Sequence, residues 1–113
     1  GACKDLLSND ELNAGAHYLM ALCKEGARDR SSAADHDQMA IHLDAGFAAP
    51  RLHLGLLEKK AGHRFEARNH LSLALVLLER EEPSRLLFFG GGFSREALIA
   101  FCRTELISCG GTP

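Results

Sequence analysis

Six histidines are the residues in this sequence best suited to do chemistry, because imidazole binds metals and transfers protons near neutral pH. They follow neither the His-Glu-x-x-His pattern nor the paired Cys/His spacing that marks a zinc site. His36, Asp37 and His42 are close in sequence, but a spacing of six does not place the two histidines on one helical face. The sequence therefore predicts no metal site, and it singles out no Ser/His/Asp triad.

Three consecutive glycines, Gly90 to Gly92, raise the possibility of a phosphate-binding loop. The run lacks the Lys and the Ser/Thr of a P-loop, and no predicted strand precedes it. Two interpretations stay open. Arg95, next to a predicted helix N-terminus, could bind an anion, or the glycines form only a tight reversal between two helices.

The clustered acidic residues offer no catalytic pair. We expect Asp10-Glu11 and Glu79-Arg80-Glu81-Glu82 to be solvated helix ends. No motif places a nucleophile or an acid/base pair. We therefore expect this chain to be no enzyme and to need no cofactor of its own.

The composition restricts the class of protein further. The 113 residues correspond to one domain, and the 46% hydrophobic residues include six Phe, one Tyr and no Trp, so we expect a core of Leu and Ala. A formal net charge of −2 gives no support to non-specific nucleic-acid binding.

The location is predicted to be cytoplasmic. No apolar run approaches the roughly 20 residues of a membrane helix, and the start shows no signal peptide. The four cysteines form no CxxC pair and are expected to be reduced thiols: Cys3, Cys23, Cys102 and Cys109. Because the chain begins without methionine, we expect it to be part of a longer protein.

The elements that would position a site follow from an internal repeat, whose period of about 34 residues is that of the tetratricopeptide repeat, a pair of antiparallel helices. A shift by this period brings small and large apolar residues into register: Ala21 with Gly55, Ala33 with Ala67, Ala40 with Ala74, Met20 with Leu54, Leu22 with Leu56, and Leu43 with Leu77. Small residues are needed where two helices cross closely.

We therefore expect an all-α chain of tetratricopeptide-repeat helical hairpins, a piece of a right-handed α-solenoid with a C-terminal capping helix. The single domain, 1–113, divides into a remnant of a preceding repeat and linker (2–13), repeat one (14–47), repeat two (48–81), and a Gly-rich turn with the capping helix (82–113).

Capping residues predict where the helices begin and end. Asn13 caps the first helix, and Asp29 or Ser31 caps the second, which ends near Gly46. The third runs from about Ala48 to Gly62, and the fourth from about Arg64 to just before Pro83. A short helix over 84–89 and a last helix over 95–108, capped by Ser94, complete the set.

Repeat one departs from the usual pattern at three positions. Asp37 stands where a bulky apolar residue is usual, and Arg28 stands where the turn glycine is usual. His17 and its equivalent Arg51 occupy a position often taken by Trp or Leu. We interpret these residues as divergence within the repeat.

A binding surface is expected on the concave face, lined by the first helix of each repeat. The predicted groove residues are Tyr18, Leu22 and Glu25 from repeat one, and Leu52, Leu56, Lys59 and Lys60 from repeat two. They would form an apolar floor with a basic end, suited to an amphipathic helix or to an extended peptide with an acidic tail. The alternative is that Leu52 and Leu56 only pack on neighbouring helices.

Part of the sequence resembles a known family. The run Leu52-His53-Leu54-Gly55-Leu56-Leu57, then Ala67-Arg68, then residues 85–98 (Arg-Leu-Leu-Phe-Phe-Gly-Gly-Gly-Phe-Ser-Arg-Glu-Ala-Leu) resemble the C-terminal repeat region of CheR-type chemotaxis-receptor methyltransferases. The most specific stretch is 89–98, and the resemblance extends over 14–108, more weakly in repeat one.

The resemblance implies a non-catalytic role for this chain. Members of that family transfer methyl groups from S-adenosylmethionine to chemoreceptor glutamates with a catalytic domain that is absent here. We therefore expect a regulatory or docking module that binds a chemoreceptor cytoplasmic segment or the enzyme's own catalytic domain. The alternative is a self-association or scaffold module.

Overall fold

The computed structural model describes residues 2–110, and the side chains of residues 2–9 and 11 lie outside that description. Within this range the chain forms helices and no strand, which confirms the predicted all-α class. The six helices are α1 (Ala2–Gly26), α2 (Arg30–Leu43), α3 (Ala48–Lys60), α4 (Arg64–Arg80), α5 (Pro83–Phe89) and α6 (Arg95–Ser108). None of them in the described range is long and apolar enough to cross a bilayer.

Two helical hairpins, α1 with α2 and α3 with α4, make up most of the fold. Their turns have the same backbone, one repeat period apart. The N–H of Arg28 donates to the carbonyl of Glu25 at 2.8 Å, and the N–H of Gly62 donates to that of Lys59 at 3.0 Å. Arg28 and Gly62 both have positive φ, 64° and 84°. Arg28 thus adopts the left-handed conformation that glycine provides in the second turn.

Most helix starts lie where the sequence predicts them. Asp29 caps α2, with its carboxylate accepting a hydrogen bond from the backbone of Ser32 at 3.1 Å. Ser94 caps α6 in the same way, accepting from the N–H of Ala97 at 3.1 Å. Each cap satisfies a backbone donor that the first helical turn leaves unpaired.

Two predicted helix ends are wrong. α1 is continuous from Ala2 to Gly26, so Asn13 lies inside a helix and the expected linker within 2–13 is helical. Neither Pro nor Gly occurs in 2–13, so no residue there breaks a helix. α2 ends at Leu43, before Gly46, because Asp44 already has extended backbone with φ −151° and ψ 93°.

Small residues occupy the helix crossings, as the repeat register predicts. Ala33, Ala67 and Ala74 are completely buried. At Gly55, a Cβ atom would lie 2.9 Å from the side chain of Leu71. The axes of α3 and α4 therefore approach more closely here than even an alanine allows.

α6 covers the outer side of the second hairpin. Its Cys102 and Leu106 join Leu71 and Leu78 of α4 in an apolar cluster. The guanidinium of Arg95 donates to the carbonyl of Leu78 at 2.6 Å, and it also donates to the carbonyl of Glu81 at 2.7 Å. It thus pairs carbonyls that the end of α4 leaves without helical partners.

The glycine run before α6 is a tight reversal. Gly91 and Gly92 have φ of 64° and 85°, in the left-handed region that favours glycine. The Arg95 guanidinium uses one N–H of each terminal nitrogen on backbone carbonyls, which orients it towards the end of α4. Of the two interpretations of this segment, the structure favours the reversal.

Candidate functional site

All seven predicted binding residues line one groove, which residues of α1, α3 and α6 form together. We call it the α1–α3–α6 groove. Its first cavity, of about 310 Å³, is lined by Tyr18, Leu22, Leu52 and Leu56 among others. Its second, of about 440 Å³, is lined by Glu25, Leu56, Lys59 and Lys60 among others. Leu56 and His53 border both cavities, so the two adjoin.

The floor of the groove is apolar and half open. Leu52 and Leu56 lie one turn apart on α3, where a spacing of four places them on one face. Both are partly buried against the apolar cluster of α4 and α6, yet both line the groove. Leu52 and Leu56 therefore pack on neighbouring helices and also leave part of their surface in the groove.

One wall comes from residues that the site prediction left out. Phe93, Leu98 and Phe101, in or just before α6, line the α6 side of the groove. Phe93 is 64% exposed and Phe101 is 44% exposed. The helical stripe of α6 indicates these residues as apolar, but only the packing of α6 on α4 brings them opposite Leu52.

Tyr18 forms part of a buried aromatic cluster. Its ring packs edge-on against Phe47 and Phe89, with centroids 5.7 Å apart in each case. Burial, with the nearby charges of Asp37 and Glu25 adding to it, raises the pKa of Tyr18 to about 12. Tyr18 is therefore a neutral, rigid wall of the first cavity.

The predicted basic end of the groove is wrong. The ammonium of Lys59 pairs with the carboxylate of Glu105 on α6. That of Lys60 lies 2.8 Å from Glu25 on α1. Each lysine thus has an acidic partner from a different helix, 35 or 46 residues away in sequence. The second cavity carries balanced ion pairs, not a net positive charge.

An ionic network, buried at Asp37 and His53 and exposed at Lys60, lies between the two hairpins. His53 of α3 lies with its Nδ1 2.6 Å from Asp37 of α2 and its Nε2 2.7 Å from Glu25 of α1. When both carboxyl groups are ionised they can only accept, so both ring nitrogens then carry hydrogen and His53 is an imidazolium. The network continues through Glu25 to Lys60. It joins α1, α2 and α3 at the boundary of the two cavities.

Burial and charge set the pKa values in this network. Burial raises the pKa of Asp37 to about 6, although the hydrogen bond from His53 opposes the rise. Burial alone would lower the pKa of His53, but its bonds to Asp37 and Glu25 prevail and raise it. For Glu25, burial is outweighed by Lys60 and His53, and the pKa is lowered.

The network explains the divergent residue of repeat one. Asp37 is completely buried, and an unpaired buried carboxylate is strongly unfavourable. An acidic residue in a position expected to be apolar should therefore have signalled a cationic partner. The sequence could not indicate which of the six histidines supplies it.

Glu81 corrects another expectation. Its side chain is buried instead of solvated, and its carboxylate accepts a hydrogen bond from the N–H of Ala48 at 3.0 Å. Ala48 is the first residue of α3, where backbone donors lack helical partners and the helix dipole favours an anion. Asp10, Glu79 and Glu82 are exposed, but Asp10 lies within α1 and not at a helix end, and the side chain of Glu11 lies outside the described residues.

The remaining histidines assemble no metal site. Among the described side chains, no group of three or more His, Cys, Asp or Glu could hold a metal ion. His17 and His36 contact each other through their Nδ1 atoms at 3.0 Å. The equivalent pair in the second repeat, Arg51 and His70, makes the same contact at 3.1 Å.

Comparison of the chain with protein-family models, with curated proteins and with solved structures gives no match. What the chain does must therefore be inferred from the groove itself and from the sequence patterns that predicted it.

Proposed function

We propose that this chain is a non-catalytic protein-binding module of tetratricopeptide-type hairpins, a piece of a right-handed α-solenoid capped by α6. Its partner binds in the α1–α3–α6 groove. The observation that carries this proposal is the gathering of apolar side chains from three helices, Leu22, Leu52 and Phe101 among them, around a half-open surface. Recognition of a helix in a groove requires such apolar anchors.

The recurrence of contacts from one repeat to the next supports the repeat architecture. The His17–His36 contact recurs as Arg51–His70, and the turn at Arg28 recurs at Gly62. These pairs differ in chemistry, so the shared geometry comes from the backbone. The period of the recurrence is that of a tetratricopeptide hairpin.

The charges of the groove favour an amphipathic helix over a peptide with an acidic tail. Lys59 and Lys60 are already paired with Glu105 and Glu25, so these carboxylates neutralise much of the charge that would attract an acidic ligand. An apolar helical face meets Leu52 and Leu56 without breaking either of these two lysine pairs. The binding energy is therefore expected to come from apolar contacts.

The resemblance of residues 52–57 and 85–98 to CheR-type repeats supports a particular setting for this binding. In it, the chain docks or regulates a chemoreceptor-glutamate methyltransferase in the cytoplasm, and S-adenosylmethionine is the cofactor of the parent enzyme, not of this chain. The partner is a chemoreceptor cytoplasmic segment or the enzyme's own catalytic domain.

A pull-down with those two partners tests the proposal. We expect Leu52→Glu to weaken capture at least about tenfold, because it removes an apolar anchor and buries a charge. The matched control is Leu73→Glu on α4, where the native side chain is 49% exposed and lies outside the groove. Circular dichroism must show both variants folded. Failure to capture either partner, or equal losses in the two variants, would refute the proposal.

Self-association is the second candidate, and an exposed patch on α5 favours it. Leu87 and Phe88 are each 79% exposed. An open apolar edge at residues 2–8, the remnant of a preceding repeat, would also favour pairing, but those side chains lie outside the described part of the chain. Sedimentation should show a dimer that Leu87→Ser/Phe88→Ser dissociates. A strict monomer at high concentration would exclude this function.

A further inference from the structure

α5 places one of its own side chains in the first cavity of the groove. The ring of Phe89 packs against Phe47 with centroids 5.0 Å apart, and against Tyr18 at 5.7 Å. Both contacts are edge-on, the arrangement that aromatic pairs prefer. We call the site formed by Gly15, Tyr18 and Phe47 the Phe89 seat.

Gly15 makes the seat large enough for an aromatic ring. It is buried within α1, and a Cβ atom there would lie 3.0 Å from Cζ of Phe89. Any larger side chain at position 15 would occupy the space that the ring now fills. A glycine inside a helix is unfavourable relative to alanine, so its presence is best explained by the ring it admits.

Arg85 lies on α5 one turn before Phe89 and places a cation at the edge of the seat. The guanidinium of Arg85 pairs with the carboxylate of Asp44 and lies 3.6 Å from that of Glu81. It also lies over the ring of Phe47, 4.6 Å from the centroid. The rim of the seat is therefore acidic and aromatic, and it suits a basic residue.

α5 itself is lightly held. None of its seven residues is buried, and it packs closely along no other helix in the part of the chain that the structure describes. It begins at Pro83 after extended backbone and ends at Gly90, before two glycines with positive φ. Three partly buried side chains thus keep this short helix in place: Leu86, which packs against the apolar cluster of α4 and α6, and Arg85 and Phe89 at the seat.

We propose that α5 is a built-in occupant of the α1–α3–α6 groove, and that the partner is an amphipathic helix that displaces it. Resting on the proposed function, this inference specifies the chemistry of the partner. The partner presents an aromatic residue to the Phe89 seat and a basic residue four positions earlier, where Arg85 now meets Asp44 and Glu81.

A peptide copying residues 83–92 tests this in trans. It should bind the Phe89→Ala chain at least about tenfold more tightly than the wild type, because apparent affinity scales with the fraction of molecules whose seat is open. Tyr18 is the one tyrosine of the chain, so its ring signals in the NMR spectrum report occupancy of the seat. They should shift when Phe89 is removed and return towards their original positions when the peptide binds.

Two control peptides distinguish binding at the Phe89 seat from non-specific apolar binding. A peptide carrying Phe89→Ala should lose binding, whereas one carrying Phe88→Ala should keep it, since Phe88 is exposed in α5. Filling the seat with Gly15→Leu in the Phe89→Ala chain should also abolish binding. Equal binding to the wild-type and Phe89→Ala chains, or binding indifferent to the peptide's Phe89, would overturn the inference.

A replacement variant and the pull-down result cover the cases in which the peptide experiment alone would not decide. If Phe89→Ala does not fold, Arg85→Gln, which loosens α5 and keeps the aromatic seat, replaces it with the same expected gain. If the pull-down partners bind but the peptide in trans never does, the proposal that α5 occupies the groove is wrong, and the proposal that the chain binds a protein partner is kept. If neither binds, both fail.

Discussion

The two hairpins place chemically opposite residues at the same position. In the first hairpin the position is Asp37, and at the equivalent point of the second it is Leu71; both are completely buried. Leu71 packs against apolar neighbours from α4 and α6. Asp37 depends on His53, which belongs to the other hairpin.

The same helical hairpin is therefore stabilised in two different ways. The second hairpin needs only close packing, as at Gly55 and Leu71. The first is tied to its neighbour by a buried ion pair, whose net stabilisation is small and which we expect to fix how the two hairpins meet. We therefore expect the packing of α1, α2 and α3 against one another to depend on His53.

The largest expected effect comes from breaking the polar network on one side. His53→Leu leaves Asp37 buried without its cation and should lower the free energy of unfolding by about 3–5 kcal/mol. Urea denaturation near pH 8 measures it. The double variant Asp37→Leu/His53→Leu, which gives the first hairpin the chemistry of the second, should recover most of this loss. A single-variant loss below about 1 kcal/mol would show that the network is not structural.

Overpacking the second hairpin should have the next largest effect. Gly55→Ala forces the side chain of Leu71 to move and should cost about 1–3 kcal/mol, measured by thermal and urea unfolding. Leu71→Val in the same chain should relieve part of the cost. The matched control is Ala21→Gly at the equivalent position of the first hairpin, which should cost only about 0.5–1 kcal/mol. Equal costs would mean that the two crossings are packed alike.

The Asp37–His53 pair should also make the stability of the chain depend on pH, whereas Leu71 of the second hairpin does not titrate. The pKa of Asp37 is raised from 3.8 to about 6, and that of His53 is raised above 6.5. Folding therefore takes up protons, and stability rises as the pH falls through these values. Between about pH 8 and pH 5, the wild type should gain on the order of 1 kcal/mol relative to Asp37→Leu/His53→Leu.

At lower pH, protonation of Glu25 lowers the stability of the chain. Its pKa lies below the ordinary 4.5, so its contribution is present above that value and is lost as the pH falls through the folded-state pKa. Urea titrations of the two proteins at several pH values give the difference. A difference that stays flat from neutral pH to about pH 5 would contradict the network's role.

The smallest expected effect concerns the two turns. Arg28 has positive φ where the second hairpin has Gly62. Arg28→Gly should stabilise the chain by up to about 1 kcal/mol, because only glycine adopts this conformation without steric cost. Gly62→Arg should destabilise it by a similar amount. Melting temperatures that move in the same direction for both changes would show that the turns are not equivalent.

Local patterns allowed much of the fold to be predicted. Asp29 and Ser94 marked helix starts, and the spacing of Ala33 and Ala67 marked the crossings, because caps and helical faces depend on neighbours a few residues away. The same periodicity located the groove residues on α1 and α3. The packing of α6 against Leu52 depends on tertiary contacts and was not predictable in this way.

Charge pairing was the part that the sequence could not specify. Glu25 receives both His53 and Lys60, which are 28 and 35 residues away. Glu81 was expected in solvent because it lies in a charged run, yet the start of α3 buries it. Each partner is chosen by how the helices pack, and no local pattern encodes that choice.

Residue 81 has a consequence for how the molecule opens. Its carboxylate holds the first N–H of α3, and its carbonyl receives the guanidinium of Arg95 at the start of α6. Three helix termini thus share one residue, so none of them can fray alone without stranding a buried polar group. The backbone amides of α3, α4 and α6 should then exchange with solvent deuterium in one cooperative opening, although α6 is the last helix of the described chain.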